Sequence, residues 1–85
     1  MVKKEIQIIA EAGFHARPAS MFAKMAMGYK SNIALECEGK EINGKSIMSI
    51  LTLGAAKGSM VTLSCDGEDE NDALEALSAF IAIMD

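Results

Sequence analysis

The chain has 85 residues, of which 51% are hydrophobic and 24% charged, and this size allows one domain with a small core. Twelve acidic residues against eight basic ones give a formal net charge of −4, which argues against a general nucleic-acid binder because such proteins need a net basic field. The composition also excludes a disordered tail, a collagen-like repeat and a large enzyme with a cofactor domain of its own. No apolar run approaches the length of a membrane span and the N-terminus has no signal-like apolar region, so we expect a single cytoplasmic domain over residues 1–85 that does not enter a membrane.

The first half of the chain predicts a strand, a helix and a hairpin. Residues 2–9 alternate between apolar and polar side chains, which is typical of a strand. Residues 16–28 have apolar side chains at helical spacing and predict a helix. Residues 32–38 alternate again, Gly39 provides a turn, and residues 40–43 form a short return strand.

The second half adds a short helix, a strand and a final helix. Residues 46–53 predict a helix with Ser46 as its N-cap and Gly54 just after its end. Residues 60–66 alternate as a strand, and the last helix begins near Asp69. The order is βαββαβα, and each strand has one apolar face. The predicted fold is therefore α+β, an open-faced β-sandwich with a four-stranded antiparallel sheet and three helices on one face.

Two cysteines, Cys37 and Cys65, each lie in an alternating apolar run. Small secreted domains held by disulfides usually carry more cysteines than this. We therefore expect reduced thiols in the core rather than a disulfide.

A single histidine lies at the junction between the first strand and the first helix. Gly13 allows a sharp turn with positive φ, and Pro18 is tolerated only in the first helical turn, so the helix begins within a residue or two of His15. The imidazole would then lie beside the free N–H groups and the positive dipole end of a helix, which together favour an anion. Arg17 adds a guanidinium group that matches phosphate oxygens.

These residues fit phosphate chemistry, with His15 as the nucleophile that carries a phosphoryl group and Arg17 and the helix amides stabilising its charge. The sequence has no second histidine, no cysteine near His15 and no carboxylate at metal-ligand spacing, so we expect neither a metal site nor a cofactor. An enzyme with its own substrate pocket would need more residues than this turn offers, which favours a covalent carrier. A simple anion-binding site stays an alternative at this point.

Residues 13–19, GFHARPA, resemble the active-site motif of HPr, the histidine-containing phosphocarrier family of the bacterial sugar phosphotransferase system. Residues 43–48, NGKSIM, resemble the regulatory-serine segment of HPr from low-GC Gram-positive bacteria, and residues 69–74 match the start of the family's last helix. The resemblance covers essentially the whole chain. It implies the sheet order 1-4-2-3, a phosphoryl group taken on Nδ1 of His15 from enzyme I, which uses phosphoenolpyruvate, contact of Arg17 with that group, and transfer to enzyme IIA domains of sugar permeases.

Ser46 is a second candidate for modification. Its default role is to cap the short helix, but a phosphate at this position would add nearly two negative charges where the helix dipole accepts them. The resemblance implies that an HPr kinase/phosphorylase phosphorylates Ser46. It further implies slower transfer from enzyme I and binding to the catabolite-repression regulator CcpA.

A docking surface is predicted between the first two helices. Ser20, Lys24 and Met27 follow i, i+4, i+7 spacing on the first helix, away from its core-facing alanines. The resemblance implies that the docking surface combines these three residues with Ile47, Met48 and Leu51, and has a basic edge of Arg17, Lys24 and Lys45. Seven methionines suit such an adaptable surface, which would fit several acidic-rimmed partners. We expect a monomer, since nothing in the sequence demands a dimer.

The sequence departs from the family pattern at three positions. Ala12 stands where many relatives have Ser or Thr, Phe14 replaces an aliphatic residue, and Met27 makes the docking surface more apolar. The paralogue Crh, which regulates but does not carry, lacks the active histidine, so His15 argues against that assignment. The alternatives are a purely regulatory protein modified at Ser46 and an unrelated small-molecule-binding sandwich, for which the sequence offers no Gly-rich cradle.

Overall fold

The computed structural model describes residues 1–84. Within them the chain forms four strands and three helices in the predicted order: β1 (Val2–Gln7), α1 (Ala16–Met27), β2 (Asn32–Cys37), β3 (Lys40–Asn43), α2 (Ile47–Thr52), β4 (Met60–Asp66) and α3 (Glu70–Ile83). The strands form one antiparallel sheet in the order β1-β4-β2-β3. The predicted fold class and sheet order are confirmed. None of the helices within residues 1–84 is long and apolar enough to cross a membrane.

The core lies between one face of the sheet and the helices, as the alternation of the strands predicted. Its fully buried side chains come from β2 and β4, from the segment after β1, and from all three helices: Ile8, Phe22, Leu35, Ile50, Val61, Leu63, Cys65, Leu77 and Ile81. Burying each large aliphatic or aromatic side chain contributes about 1.5–3 kcal/mol to folding. The helices are therefore held to the sheet by apolar contact.

β1 is two residues shorter than the predicted strand. Beyond Gln7 the chain leaves the ladder with β4, but Ile8 keeps strand-like bonds to the loop before β4, donating its N–H to the Ser59 carbonyl at 2.8 Å and accepting from the Gly58 N–H at 2.8 Å. Ile8 is buried, as predicted, whereas Ile9 is exposed. β1 therefore ends earlier than predicted, because Ile8 pairs with a loop and not with a strand.

The hairpin between β2 and β3 has a two-residue turn, because Cys37 pairs directly with Lys40. Glu38 and Gly39 both have positive φ, 52° and 83°, which is the arrangement of a type I′ turn. The sequence predicted the turn at Gly39, but the left-handed backbone of Glu38 was not predicted.

The two cysteines are free thiols buried in the core, as predicted. Cys65 pairs with Ile33, which lies four residues before Cys37 on β2, so the cysteines are about 13 Å apart along the sheet. A disulfide needs Cα atoms within about 7 Å. Burial, together with the nearby carboxylates of Glu70 and Asp69, raises the pKa of the Cys65 thiol to about 11, so this thiol stays protonated.

Candidate functional site

The turn before α1 is fixed by a close approach of two loops. Gly13 has a φ of +63°, and a Cβ atom placed on it would lie 2.2 Å from the carbonyl oxygen of Ala55. The same carbonyl accepts a hydrogen bond from the N–H of Phe14 at 3.3 Å. Only glycine fits this position, because both the backbone conformation and the available space exclude a side chain. The loop after α2 therefore sets where α1 begins.

His15 is the N-cap residue of α1, as predicted from Gly13 and Pro18. Its backbone is extended, with φ −93° and ψ −174°, and its carbonyl accepts the first helical hydrogen bond from the Ala19 N–H at 3.0 Å. Ala16 and Arg17 come before Ala19 in the helix, so their N–H groups have no carbonyl of the helix to bond to, and Pro18 has no N–H. The half-buried imidazole thus belongs to the residue that opens the positive end of a 12-residue helix, and Arg17 is exposed beside it.

Phe14 anchors the residue before the histidine in the core. Its ring packs edge-to-face on Phe22, with centroids 5.8 Å apart and an interplanar angle of 79°. Phe22 in turn contacts Phe80 of α3 at 6.2 Å. Aromatic contacts of this kind contribute about 0.5–1.5 kcal/mol each beyond their buried area. The aromatic residue that departs from the family pattern therefore holds the backbone of His15 while the imidazole stays partly exposed.

Ser46 caps α2, which confirms its predicted structural role. Its Oγ accepts a hydrogen bond from the Ser49 N–H at 3.3 Å, and its carbonyl accepts from the Ile50 N–H at 3.0 Å. The preceding residue, Lys45, donates from Nζ to the carbonyl of Tyr29 at 2.8 Å, just beyond the end of α1. Ser46 therefore lies near the C-terminal end of α1, whereas His15 opens its N-terminal end. A 12-residue helix is about 18 Å long, so the structure does not bring Ser46 to His15.

The residues of the predicted docking surface are accessible. Met27, Ile47, Met48 and Leu51 are exposed apolar side chains, Lys24 is exposed and Ser20 is half-buried. The helices that carry them, α1 and α2, pack against each other. Ile50 and Leu53 point into the core, as expected. Lys45 is half-buried and hydrogen-bonded to Tyr29, so the exposed basic edge consists of Arg17 and Lys24.

An apolar groove beside the start of α1 was not predicted from the sequence. It has a volume of about 450 Å³ and lies between the start of α1 and the end of α3, and its lining is Arg17, Pro18, Met21, Phe80, Ile83 and Met84. Phe80 and Met84 have helical spacing with the buried residues Leu77 and Ile81, so the sequence pattern places them in the core and gives no sign of the groove beside them. The only signal in the sequence was the i, i+4 spacing of Arg17 and Met21.

An acidic residue outside the site fixes the loop after α1. The carboxylate of Asp69 accepts hydrogen bonds from the N–H of Lys30 at 2.8 Å, the N–H of Ser31 at 2.9 Å and the Oγ of Ser31 at 2.5 Å. The Ser31 hydroxyl and these amides hold the pKa of Asp69 at about 2. The predicted helix start at Asp69 is confirmed, but its side chain bonds to the α1–β2 loop and not to its own helix. Within residues 1–84 no group of three His, Cys, Asp or Glu side chains is placed to hold a metal ion.

A histidine at the N-cap of a helix, with an exposed arginine beside it in the chain, is an arrangement that can hold an anion. The sequence model of the family described as "PTS HPr component phosphorylation site" matches residues 2–82. The chain belongs to the HPr family of the phosphotransferase system (PTS).

The chain is similar both to relatives named Crh and to relatives named HPr. The HPr-like protein Crh of Halalkalibacterium halodurans is 43% identical over 81 residues, covering 95% of this chain and 96% of that protein. The structure of phosphocarrier protein HPr from Bacillus anthracis has a TM-score of 0.90 at 41% identity, covering 94% and 95% of the two chains. A structure of Bacillus subtilis Crh, described as a swapped-domain dimer, has a TM-score of 0.78 at 41% identity, covering 95% and 93%. The phosphocarriers of this family are carriers rather than enzymes.

Proposed function

We propose that this chain is a phosphocarrier that accepts a phosphoryl group on His15 from enzyme I, which draws it from phosphoenolpyruvate, and passes it to enzyme IIA domains of sugar permeases. The observation that supports the proposal is the position of His15 at the N-cap of α1, next in the chain to Ala16 and to Arg17, which is exposed. In the step, Nδ1 of the imidazole forms a bond to phosphorus while the bond from phosphorus to enzyme I breaks. The reverse exchange delivers the group to enzyme IIA.

The chain supplies only one side of each transfer site. We expect the helix amides and Arg17 to stabilise the charge that develops on the phosphoryl oxygens. The site is open, so the partner must exclude water and complete the surroundings of the phosphoryl group. A transfer site that the partner completes fits a small carrier that is the substrate of several larger proteins.

Phosphorylation of Ser46 by an HPr kinase/phosphorylase is the proposed regulation, with CcpA as the partner of the modified form in carbon catabolite repression. Ser46 is the N-cap of α2, where the helix dipole favours a phosphate, so the helix need not change shape. Charges in solvent are screened within about 8–10 Å at moderate ionic strength, and about 18 Å of helix separates this end of α1 from His15. We infer that the phosphate slows transfer by repelling an acidic partner at the docking surface and not by acting on His15 directly.

The carrier proposal is tested by incubating the chain with enzyme I and phosphoenolpyruvate. We expect an acid-labile adduct of about 80 Da, the mass of one phosphoryl group, which His15→Ala lacks and Ser46→Ala keeps. An Arg17→Lys variant keeps the charge but loses the planar fork, so its adduct should form more slowly. No adduct on the wild-type chain would overturn the carrier function.

A purely regulatory protein is the second candidate, because the relative from Halalkalibacterium halodurans is named Crh. His15 favours the carrier, since the resemblance implies that Crh lacks the active histidine. An acid-stable adduct on Ser46, formed with ATP and a kinase-containing extract in the absence of any adduct on His15, would favour the regulatory protein.

We propose a monomer as the carrier form, cytoplasmic and in contact with proteins and not with nucleic acid or membranes. β1 pairs with β4 of the same chain over all six of its residues, so the fold is closed without a second copy. The Crh structure with swapped domains shows that a relative assembles differently. Sedimentation at the concentration of the transfer assay distinguishes the two forms, and a dimer would contradict the proposal.

A further inference from the structure

The methionines of this chain are concentrated on its surface. Met1, Met21, Met27, Met48 and Met60 are exposed, Met25 is half-buried, and Met84 is buried. Met27 and Met48, which belong to the docking surface, are exposed by 60% and 73%. A thioether that solvent reaches is open to oxidation, whereas a buried one is protected.

Met27 and Met48 lie at one junction between two helices. Met27 is the last residue of α1 and Met48 is the second residue of α2. The hydrogen bond from Lys45 to the Tyr29 carbonyl joins the chain just before α2 to the chain just after α1. Oxidation at these two positions would therefore change one continuous part of the docking surface, at the end of α1 away from His15.

We propose that Met27 and Met48 form a redox-sensitive modification site, at which oxidation by a peroxide weakens the docking of phosphotransfer partners and leaves the chemistry at His15 intact. The inference rests on the proposed function. In the step, the thioether sulfur takes one oxygen atom from hydrogen peroxide, so that sulfur is oxidised by two electrons and the peroxide is reduced to water. A thiol-dependent methionine sulfoxide reductase reverses it, with two thiols becoming a disulfide and the oxygen leaving as water.

A docked partner would cover the side chains of Met27 and Met48, so oxidation of these residues should change the affinity of docking. A methionine in an interface is a flexible apolar side chain, whereas its sulfoxide carries a polar oxygen that must find a hydrogen-bond donor when it is buried. Each sulfoxide left without a donor should weaken docking by roughly fivefold or more. His15 and Arg17 are at the other end of α1, so the KM of enzyme I for the chain should rise while kcat is retained.

The experiment compares three proteins before and after hydrogen peroxide treatment. In Met27→Leu/Met48→Leu both thioethers are replaced by apolar side chains of similar volume that peroxide does not oxidise, and the KM of each protein after treatment is compared with its own KM before treatment. Met60→Leu is the matched control, because Met60 is exposed by 44% at the start of β4, where it pairs with Gln7 in the sheet. Peptide mass mapping locates each added oxygen of about 16 Da, and initial rates with enzyme I and phosphoenolpyruvate give KM and kcat.

We expect treated wild type and treated Met60→Leu to show a raised KM, treated Met27→Leu/Met48→Leu to keep its KM, and the reductase to restore wild type. A wild-type KM that is unchanged although both sulfoxides are mapped would overturn the inference, as would an equal rise in the double variant. The same holds if peroxide oxidises Met60 but neither docking methionine. Failure of the proposed function is distinct, since the untreated chain would then take no phosphoryl group from enzyme I.

Discussion

Replacing Gly13 with alanine tests whether the contact between two loops positions His15. The added Cβ would meet three backbone atoms, the Ala55 carbonyl oxygen at 2.2 Å, the Ala56 Cα at 2.9 Å and the Ala55 carbonyl carbon at 3.1 Å. Ordinary contact begins at 3.4 Å, so the loops must separate by about 1.2 Å, which is 3.4 minus 2.2. No flexible side chain is available to move aside, so the backbone has to shift.

Two effects should lower the free energy of unfolding of Gly13→Ala. A left-handed backbone costs an L-residue about 1–2 kcal/mol, and forcing extra volume into a packed place costs about 1–3 kcal/mol. Gly13→Ala should therefore lower the free energy of unfolding by about 2–5 kcal/mol. Gly39→Ala is the matched control, because Gly39 has a φ of +83° but nothing within 4 Å of the added Cβ. It should lose only the first part, about 1–2 kcal/mol.

Urea unfolding of both variants with a common slope gives these differences. The transfer rate supplies a second readout, because the N–H of His15 donates to the Gly13 carbonyl at 3.1 Å and a displaced Gly13 moves His15 with it. We expect the folded fraction of Gly13→Ala to accept the phosphoryl group at least about tenfold more slowly, since misplacement by 1 Å can cost that much or more. Equal losses of stability and unchanged rates in both variants would refute the reasoning.

Three further predictions concern stability. Glu38→Asn should raise the free energy of unfolding by about 0.5 kcal/mol, because Asn tolerates the left-handed backbone of a type I′ turn better than Glu, and a lower urea midpoint would contradict this. Ser46→Ala removes the cap on the Ser49 amide and should cost about 1 kcal/mol, whereas Ser46→Asp, which keeps an acceptor, should cost less. The pKa of Asp69 lies at about 2 against an ordinary 3.8, so its stabilising effect is complete above pH 3.8 and is lost as the pH falls towards 2. Asp69→Asn should therefore melt at a lower temperature than wild type at pH 7, and the difference in melting temperature should disappear between pH 4 and pH 2. A difference that does not depend on pH would contradict a stabilising role of the ionised carboxylate.

Features that depend on neighbouring residues could be predicted from the amino-acid sequence. Alternating side chains decided which face of each strand is apolar, because successive residues of a strand point to opposite sides. Gly13 and Pro18 located the start of α1 to within a residue or two, because each restricts the backbone at its own position. His15 could therefore be placed at a helix N-terminus before any contact was known. The cap at Ser46 was also predictable, because a serine hydroxyl accepts a hydrogen bond from an amide in the turn that follows it.

Contacts between segments far apart in the chain could not be predicted in this way and became known from the folded structure. The Ala55 carbonyl that makes Gly13 irreplaceable, and the bonds from Lys30 and Ser31 to Asp69, join residues 38 to 42 positions apart. The tertiary structure also placed Ser46 at the opposite end of α1 from His15, and it left Met27 and Met48 exposed while it buried Met84. Local backbone preferences carry no information on such contacts, because they depend on how the helices and loops pack on the sheet.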